Sequence, residues 1–282
     1  MRLLSFLAPD EGAVRVGLLS HDEARVVDLT AVGVEDVFDA LARVGQLRRV
    51  AGHLLHAPGA LALPAASVRP LACVPVARAV WRAPSSLAGQ GSGRPAEARG
   101  RSPLEYVDPA PMLGTGDRVE SAGALAELAF GVACVMAGAR AGSGPAELEG
   151  AIAGFCLAIR WAAPAAPGLV RRGAALGPWL VTTDELAHRR TGPAAYDLGL
   201  ALAVNGAEHY RGSWEELAPG LVEVLTAAAG AFTLRAGDVL CAPRAAVTSV
   251  GPGDDVVLHS ERLGVLRLRV TPAARDSVAK GE

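Results

Sequence analysis

The sequence predicts an α+β protein dominated by strands, and two features predict it. From Tyr106 onward, short apolar runs alternate with Gly- and Asp-containing turns: Gly114-Thr-Gly-Asp117, Asn205-Gly206, Ala236-Gly237-Asp238 and Gly251-Pro-Gly-Asp254. Runs of strand length bounded by such turn residues are the signature of a sheet-rich domain. Helical spacing, in contrast, is confined to a few short stretches, so the helices serve the sheets rather than form a layer of their own.

In chain order, Arg2-Leu-Leu-Ser-Phe-Leu, Val14 to Leu19 and Ala24 to Leu29 read as strands separated by the turns Pro9 to Gly12 and Ser20 to Glu23. Glu35 to Val50 has Val37, Leu41, Val44 and Leu47 at helical spacing, with acids Glu35 and Asp36 at its positive end. These elements predict a small α+β N-terminal domain over residues 1–68, followed by a larger domain over 69–282, with the proline-rich segment Ala57 to Pro75 as the crossing. Val76 to Arg82 is a strand candidate. Pro84 to Pro103 is rich in Ser, Gly, Pro, Ala and Arg without periodicity, the composition of a loop or lid. Pro219 to Ala229 is a helix with Leu221, Val222, Val224 and Leu225 as its apolar face. Leu263 to Val270 closes the fold as a strand, and the last dozen residues are polar and expected to fray.

Ala124 to Trp161 organises the larger domain. A first strand would place Leu125, Glu127, Ala129, Gly131 and Ala133 on one face, so Glu127 is a lone carboxylate among small and apolar neighbours. Gly142 to Pro145 breaks the chain, Pro145-Ala-Glu-Leu-Glu starts a short helix, and Gly154 to Trp161 is a second strand, apolar except for Arg160. An acid and a base inside two apolar strands mark the place to look for a site.

Composition excludes several function classes. Of the 282 residues 51% are hydrophobic and the mean hydropathy is +0.29, yet no run approaches the roughly 18 uninterrupted apolar residues of a membrane helix. The N-terminal MRLLSFLAPDEG reads as a first strand and not as a signal peptide. Twenty-seven Lys and Arg against 29 Asp and Glu leave a formal charge of −2 with no basic tract, which argues against nucleic acid or an acidic membrane as partner. Cys73, Cys134, Cys156 and Cys241 are scattered, without Cys-x-x-Cys or His at metal spacing, and read as small buried hydrophobes of a cytoplasmic protein.

Taken together, Gly177-Pro-Trp-Leu-Val-Thr-Thr-Asp-Glu-Leu186, Leu202-Ala-Val-Asn-Gly-Ala-Glu208, Arg235-Ala-Gly-Asp-Val-Leu240 and Gly253-Asp-Asp-Val-Val-Leu-His-Ser-Glu-Arg-Leu-Gly-Val-Leu266 resemble the fumarylacetoacetate hydrolase family. Glu127-Leu-Ala129 and Ile152-Ala-Gly-Phe-Cys-Leu-Ala158 fit the same pattern in order and spacing, and coverage extends over the whole chain. The resemblance implies a β-roll main domain with the site in its mouth, a homodimer, and Mg²⁺-dependent chemistry on β-diketo or 2-oxo acids.

The residues that should carry that chemistry are changed. In the resemblance, a Glu-x-Glu pair on one strand and an Asp on a later one hold the cation, because a hard divalent ion takes several carboxylate oxygens. Here the first Glu position is Leu125, the second is Glu127, and the Asp position is Arg160. One carboxylate, one leucine and one guanidinium make no magnesium site, so neither a metal nor another cofactor is expected. The family's His-x-x-Glu loop, which activates water, aligns with Gln90 and Gly93. Its Lys-Pro corresponds to Asp108-Pro109, its Lys before Gly-Pro-Trp is replaced by a region carrying Arg171-Arg172, its Gln after Asn-Gly is Tyr210, and its Thr-Gly-Thr-Pro loop is Cys241-Ala-Pro-Arg244.

Two functional classes follow. In the first, the chain is a metal-independent small-molecule enzyme, an isomerase, cyclase, decarboxylase or lyase acting on a keto- or enol-containing acid or a polyketide-like compound. Glu127 and Arg160 are then the catalytic candidates, and Gln90, Asp108, Arg171, Arg172, Tyr210 and Arg244 the substrate-binding ones. In the second, it is a pseudoenzyme that binds or supports an active paralogue. Each residue also has a plainer role: Glu127 and Arg160 as a mutually neutralising buried pair, Arg171-Arg172 as solvated loop residues, Tyr210 and Trp214 as packing or a dimer contact. A nucleophilic thiolate at Cys156 or Cys241 would need a nearby base, and none is visible.

Overall fold

The computed structural model describes residues 1–8, 12–56, 61–82, 105–107, 112–166, 168–214, 221–246 and 250–273. The N-terminal strands are β1 (Arg2–Leu7), β2 (Val14–Leu19) and β3 (Arg25–Asp28), with α1 (Val37–Ala42) and α2 (Val44–His56) behind them. Then come β4 (Ala62–Pro64), β5 (Arg69–Pro70), β6 (Val80–Arg82), β7 (Glu105–Val107), β8 (Arg118–Ser121) and β9 (Glu127–Met136). After α3 (Pro145–Gly150) the two longest strands follow, β10 (Ile152–Ala166) and β11 (Leu169–Thr182). The remainder is β12 (Arg190–Gly192), β13 (Ala195–Tyr196), β14 (Gly199–Val204), β15 (Ala207–Ser213), α4 (Leu221–Ala231), β16 (Val239–Ala246), β17 (Asp255–Ser260) and β18 (Gly264–Pro272). The strand-dominated α+β reading therefore holds.

Among the described residues, one large sheet runs in the order β4-β3-β2-β1-β11-β10-β9-β16-β6-β7, with β5 on β1, and a second runs β15-β14-β17-β18-β8. The strands β9 and β10, apart from Glu127 and Arg160, and β11 between Gly173 and Thr182 are apolar on both faces because each face is covered. Phe130, Val132, Cys134, Phe155, Leu157 and Ile159 pack against Leu200, Leu202, Leu258, Leu266 and Leu268 of the second sheet and Leu225 of α4. On the other face, Ala133, Val135, Cys156, Ala158 and Leu176 join Leu18, Val27, Leu41 and Leu47 of the N-terminal elements. Alternation along β9 thus sends large side chains to one core and small ones to the other.

The N-terminal segment is not a sheet of its own. Arg2 and Leu3 of β1 pair with Val181 and Leu180 of β11, so the strands of residues 1–68 continue the central sheet. The single helix expected over 35–50 is two helices: Asp36 caps the first by accepting from the Asp39 N–H, and Arg43, at φ −99° and ψ 12°, separates it from the second, which runs on to His56. The strand expected over 76–82 shortens to β6, and β10 extends beyond Trp161 to Ala166. Pro219 and residues 274–282 lie outside the described residues, while Thr271 and Pro272 at the start of the expected frayed end belong to β18.

The three glycine–aspartate turns share one construction. Asp117, Asp238 and Asp254 each accept from the backbone N–H three residues earlier, at 2.8, 2.8 and 2.7 Å from Gly114, Arg235 and Gly251 respectively. A short carboxylate closing its own turn explains why this residue recurs there.

Candidate functional site

Glu127 opens β9, and the β9–β10–β11 ladder decides what surrounds it. Glu127 pairs with Ala162, which pairs with Arg172, while Ala129 pairs with Arg160, which pairs with Ala174. Directly paired residues share a face, so Glu127, Arg160 and Arg172 stand on the same side of the sheet. The remaining neighbours of Arg160 on that face are Ala129, Gly131, Ala158, Ala162, Ala174 and Leu176. These neighbours are mostly small and are buried, and Arg160 lies among them. Arg160 is 6% exposed, and its Nη2 lies 3.8 Å from Oε1 of Glu127, whose side chain is 29% exposed. Arg172 is exposed. Burial therefore falls from Arg160 through Glu127 to Arg172.

Leu125 does not share this face. The strand begins only at Glu127; Leu125 donates its N–H to the Val250 carbonyl at 2.6 Å and packs against the core on the opposite side. The period-2 relation expected between positions 125 and 127 fails because residue 125 lies outside the pleat. Register also separates two adjacent arginines that the sequence treats as equals. Arg171 pairs with Ala163, which is buried in the opposite core, and reaches Glu120 of β8 at 3.9 Å; Arg172 stands on the Arg160 face.

Tyr210 of β15 packs its ring 5.2 Å from that of Phe130, on the face of β9 turned away from Ala129 and Arg160. Trp214 is buried beside Phe155, with ring centroids 5.3 Å apart. Both stand in the core between the sheets. Arg244 lies in β16, paired with Phe130 of β9. Gln90 and Asp108, with the Pro84 to Pro103 loop, lie outside the described residues.

Cys156, Ala133 and Cys241 form a row across β10, β9 and β16 on the Arg160 face. All are fully buried. Contact with the Cys73 thiol and burial push the Cys156 thiol well up. Burial pushes Cys241 up to about 11, against the pull of the Arg160 guanidinium. Neither thiol is poised as a nucleophile.

The residues present do not fit the divalent cation that the resemblance implies. Among the described residues no group of three or more His, Cys, Asp or Glu side chains is placed to hold a metal. At the expected place a single carboxylate faces a guanidinium, whose charge opposes a cation where three oxygen donors are needed.

A second polar cluster was not legible in advance. The Thr182 to Glu185 turn after β11 gathers the Met1 α-ammonium, which donates to Thr182 Oγ1 at 2.7 Å and to Glu185 Oε2 at 3.0 Å. Arg48 of α2 reaches Asp184 at 2.9 Å, Thr183 Oγ1 at 2.9 Å and the Ala153 carbonyl at 3.0 Å. Burial raises the Asp184 and Glu185 carboxyls, but for Asp184 the Thr182 hydroxyl, the α-ammonium and Arg48 outweigh it, and for Glu185 the α-ammonium, His21 and Arg2 do; both end below the usual range. Nothing in the spacing of Arg48 along its helix signals this partnership across more than a hundred residues.

The model of the family described as fumarylacetoacetate (FAA) hydrolase, C-terminal, matches residues 79–271. A maleylpyruvate hydrolase of Aquipseudomonas alcaligenes is 32% identical over 96 residues, which is 34% of this chain; the match spans only 31% of that protein's length. Among solved structures, the maleylpyruvate hydrolase of Sphingobium sp. SYK-6, crystallised with manganese(II) and pyruvate, superposes with a TM-score of 0.72 at 19% identity, covering 97% of this chain and all of that one. A 5-carboxymethyl-2-hydroxymuconate delta-isomerase from Mycobacterium smegmatis superposes with a TM-score of 0.64 at 18% identity, covering 96% and 100%. At such identities these likenesses speak for the fold. Among the described residues no helix is long and apolar enough to cross a membrane.

Proposed function

The chain belongs to the fumarylacetoacetate hydrolase family, and from that premise we propose that it is a metal-independent small-molecule enzyme acting on a keto or enol acid. The observation that carries this reading is the buried guanidinium of Arg160, 6% exposed, on a sheet face of mostly small side chains with a carboxylate 3.8 Å away.

Each group has a role that follows from its charge. A fixed guanidinium at low dielectric stabilises negative charge developing on a carbonyl oxygen as the adjacent carbon loses a proton. The Glu127 carboxylate is the base that takes this proton from one carbon and, as the acid, returns it to another. The sum is a keto–enol or double-bond shift in which no atom is lost. It needs no water and no electron acceptor. That two of the similar proteins named above are a hydrolase and an isomerase is in keeping with one scaffold serving both chemistries.

The test uses protein stripped with EDTA and a panel of short 2-oxo and unsaturated oxo acids, followed by the change in enol absorbance. Turnover without added metal, abolished in Arg160→Ala and in Glu127→Gln, is the expected result. Turnover that appears only with Mg²⁺ or Mn²⁺, or a melting temperature raised by micromolar amounts of either ion, sinks the proposal.

The same 3.8 Å pair supports a second reading, in which Glu127 and Arg160 only neutralise each other in a non-catalytic protein. Under it no acid is turned over or bound, and Glu127→Gln combined with Arg160→Met folds as stably as the parent.

A further inference from the structure

A cavity of about 390 Å³ opens between α2, α3, the turn after β11 and the β12–β13 hairpin. It lies where Met136 pairs with Ile152, at the end of the β9–β10 ladder opposite Glu127 and Ala162. Its volume falls within the range of small-molecule sites, about 300–1,000 Å³. Tyr196 of β13 is the most buried residue lining it, at 4% exposed, with its ring edge-on to Phe155 at 5.1 Å. The Tyr196 hydroxyl makes no hydrogen bond among the described residues. Burial holds the phenol above its usual pKa, against the pull of the Arg190 and Arg48 guanidiniums, so it is a protonated donor at neutral pH. A donor so buried and unpaired, at the wall of a cavity, points to an acceptor that enters from outside.

Two ion pairs line the same cavity, Arg48 with Asp184 at 2.9 Å and Arg190 with Glu149 at 2.6 Å. Each leaves bonding capacity over. Glu149 accepts from Arg190 Nη2 and from the Ala194 N–H on Oε1 alone, so Oε2 has no hydrogen bond among the described residues. Arg48 uses Nη2 on the Ala153 carbonyl and Thr183 Oγ1, and Nε on Asp184. Arg190 uses Nη2 on Glu149 and Nε on the Gly192 carbonyl. Nη1 of both arginines is left over. The lining charges cancel, and behind Asp184 the Met1 α-ammonium and Glu185 cancel as well. A lone anion or a lone cation therefore gains little here, whereas a molecule with both signs close together meets a partner for each.

We propose that this cavity is a second binding site and that it takes a small zwitterion of the α-amino acid class. The ligand carboxylate accepts from the Tyr196 hydroxyl and from a spare Nη1, and the ligand ammonium donates to Glu149 Oε2. Ala146, Gly150 and Ala187 complete the lining and leave room for the ligand's own side chain. The site shares no residue with Glu127 and Arg160 and stands whether or not their catalytic reading does. Because Arg48 belongs to α2 and its partners to the main sheet and its turns, an occupied cavity also ties the two parts together and raises the melting temperature.

Calorimetric titration of the full chain with L-alanine, L-serine and L-glutamine tests this, with propionate and L-alaninamide as ligands that lack one charge. At least one amino acid binds and raises the melting temperature, and propionate and the amide bind at least about tenfold more weakly than L-alanine. Tyr196→Phe leaves the melting temperature of the free chain unchanged and weakens amino acid binding by about three- to tenfold, the worth of a neutral hydrogen bond. Glu149→Gln, which keeps an acceptor for Arg190 and Ala194, weakens it by about ten- to a hundredfold. Arg211→Gln, on the exposed edge of the second sheet, changes nothing. If Glu149→Gln loses the fold by circular dichroism, Tyr196→Phe alone decides. Absence of binding by all three amino acids at millimolar concentration overturns the proposal, as does propionate binding as tightly as L-alanine or an unchanged affinity in Tyr196→Phe.

Discussion

Arg160 carries a positive charge onto a sheet face where its nearest paired neighbours, Ala129 and Ala174, are methyl groups, and its removal has a cost that can be stated. A buried charged group that loses its partner destabilises by about 3–5 kcal/mol, and the partial exposure of Glu127, at 29%, sets Arg160→Ala at the low end of that range. Urea denaturation is expected to show this loss, and Glu127→Gln with Arg160→Met is expected to recover most of it. A single variant as stable as the parent would mean that Arg160 is held by something other than this pair. Both residues stand out in the sequence because a charge in an apolar strand is rare enough to notice. The facing of Leu125 and the difference between Arg171 and Arg172 do not stand out. Alternation along a strand is readable only once its first residue and its register are known, and these come from the partner strand.

At the scale of elements, the central hairpin is set by how closely its backbones approach. A Cβ built on Gly154 would meet the Val181 carbonyl oxygen at 2.3 Å, and that oxygen belongs to the paired strand and cannot step aside. Gly154→Ala is expected to destabilise by about 2–3 kcal/mol. Gly123, with nothing within 4 Å of its added Cβ, is expected to tolerate Ala within about 0.5 kcal/mol. Equal melting temperatures for the two variants would contradict the hairpin packing described here. Strands and turns were mostly legible: β1, β2, α3 and α4 fall where periodicity and breakers put them, and the aspartate turns declare themselves because each closes a local ring. Helix α2 and the far half of β10 were not. Arg43 interrupts the helical stretch two residues before Gly45, and an isolated glycine within helical spacing is no sufficient sign of a break, while Ala162 to Ala166 is held in strand by β11 and not by its own propensity.

Across the whole molecule, the N-terminal segment is joined to the main sheet by β1–β11 pairing and by the charges around Thr182 to Glu185. Asp184 and Glu185 titrate below the usual carboxylate range in the folded chain. Their contribution is present above the carboxyl pKa of the unfolded chain and is lost as the pH falls through the folded one. Asp238 has the opposite sign, since burial raises its carboxyl and its protonation favours the fold. Asp22 and Asp254 are lowered as well, by hydrogen bonds from Ser20 and Asn205, so with four carboxyls against one the melting temperature is expected to fall as the pH is lowered below about 4.5, where unfolded carboxyls begin to take protons. Asp184→Asn is expected to flatten that descent, and an unchanged slope would remove this cluster from the acid response. The sequence by itself determined the class of fold, the turns, and the two charged residues around which a site is proposed, because alternation, breakers and misplaced charges are local properties. The tertiary structure decided that residues 1–68 share one sheet with the rest, that Tyr210 stands across β9 from Arg160, and that Arg172, not Arg171, shares the Arg160 face. Each of these depends on pairing between segments far apart in the chain, and an isolated stretch contains no information on which edge or which face it will meet.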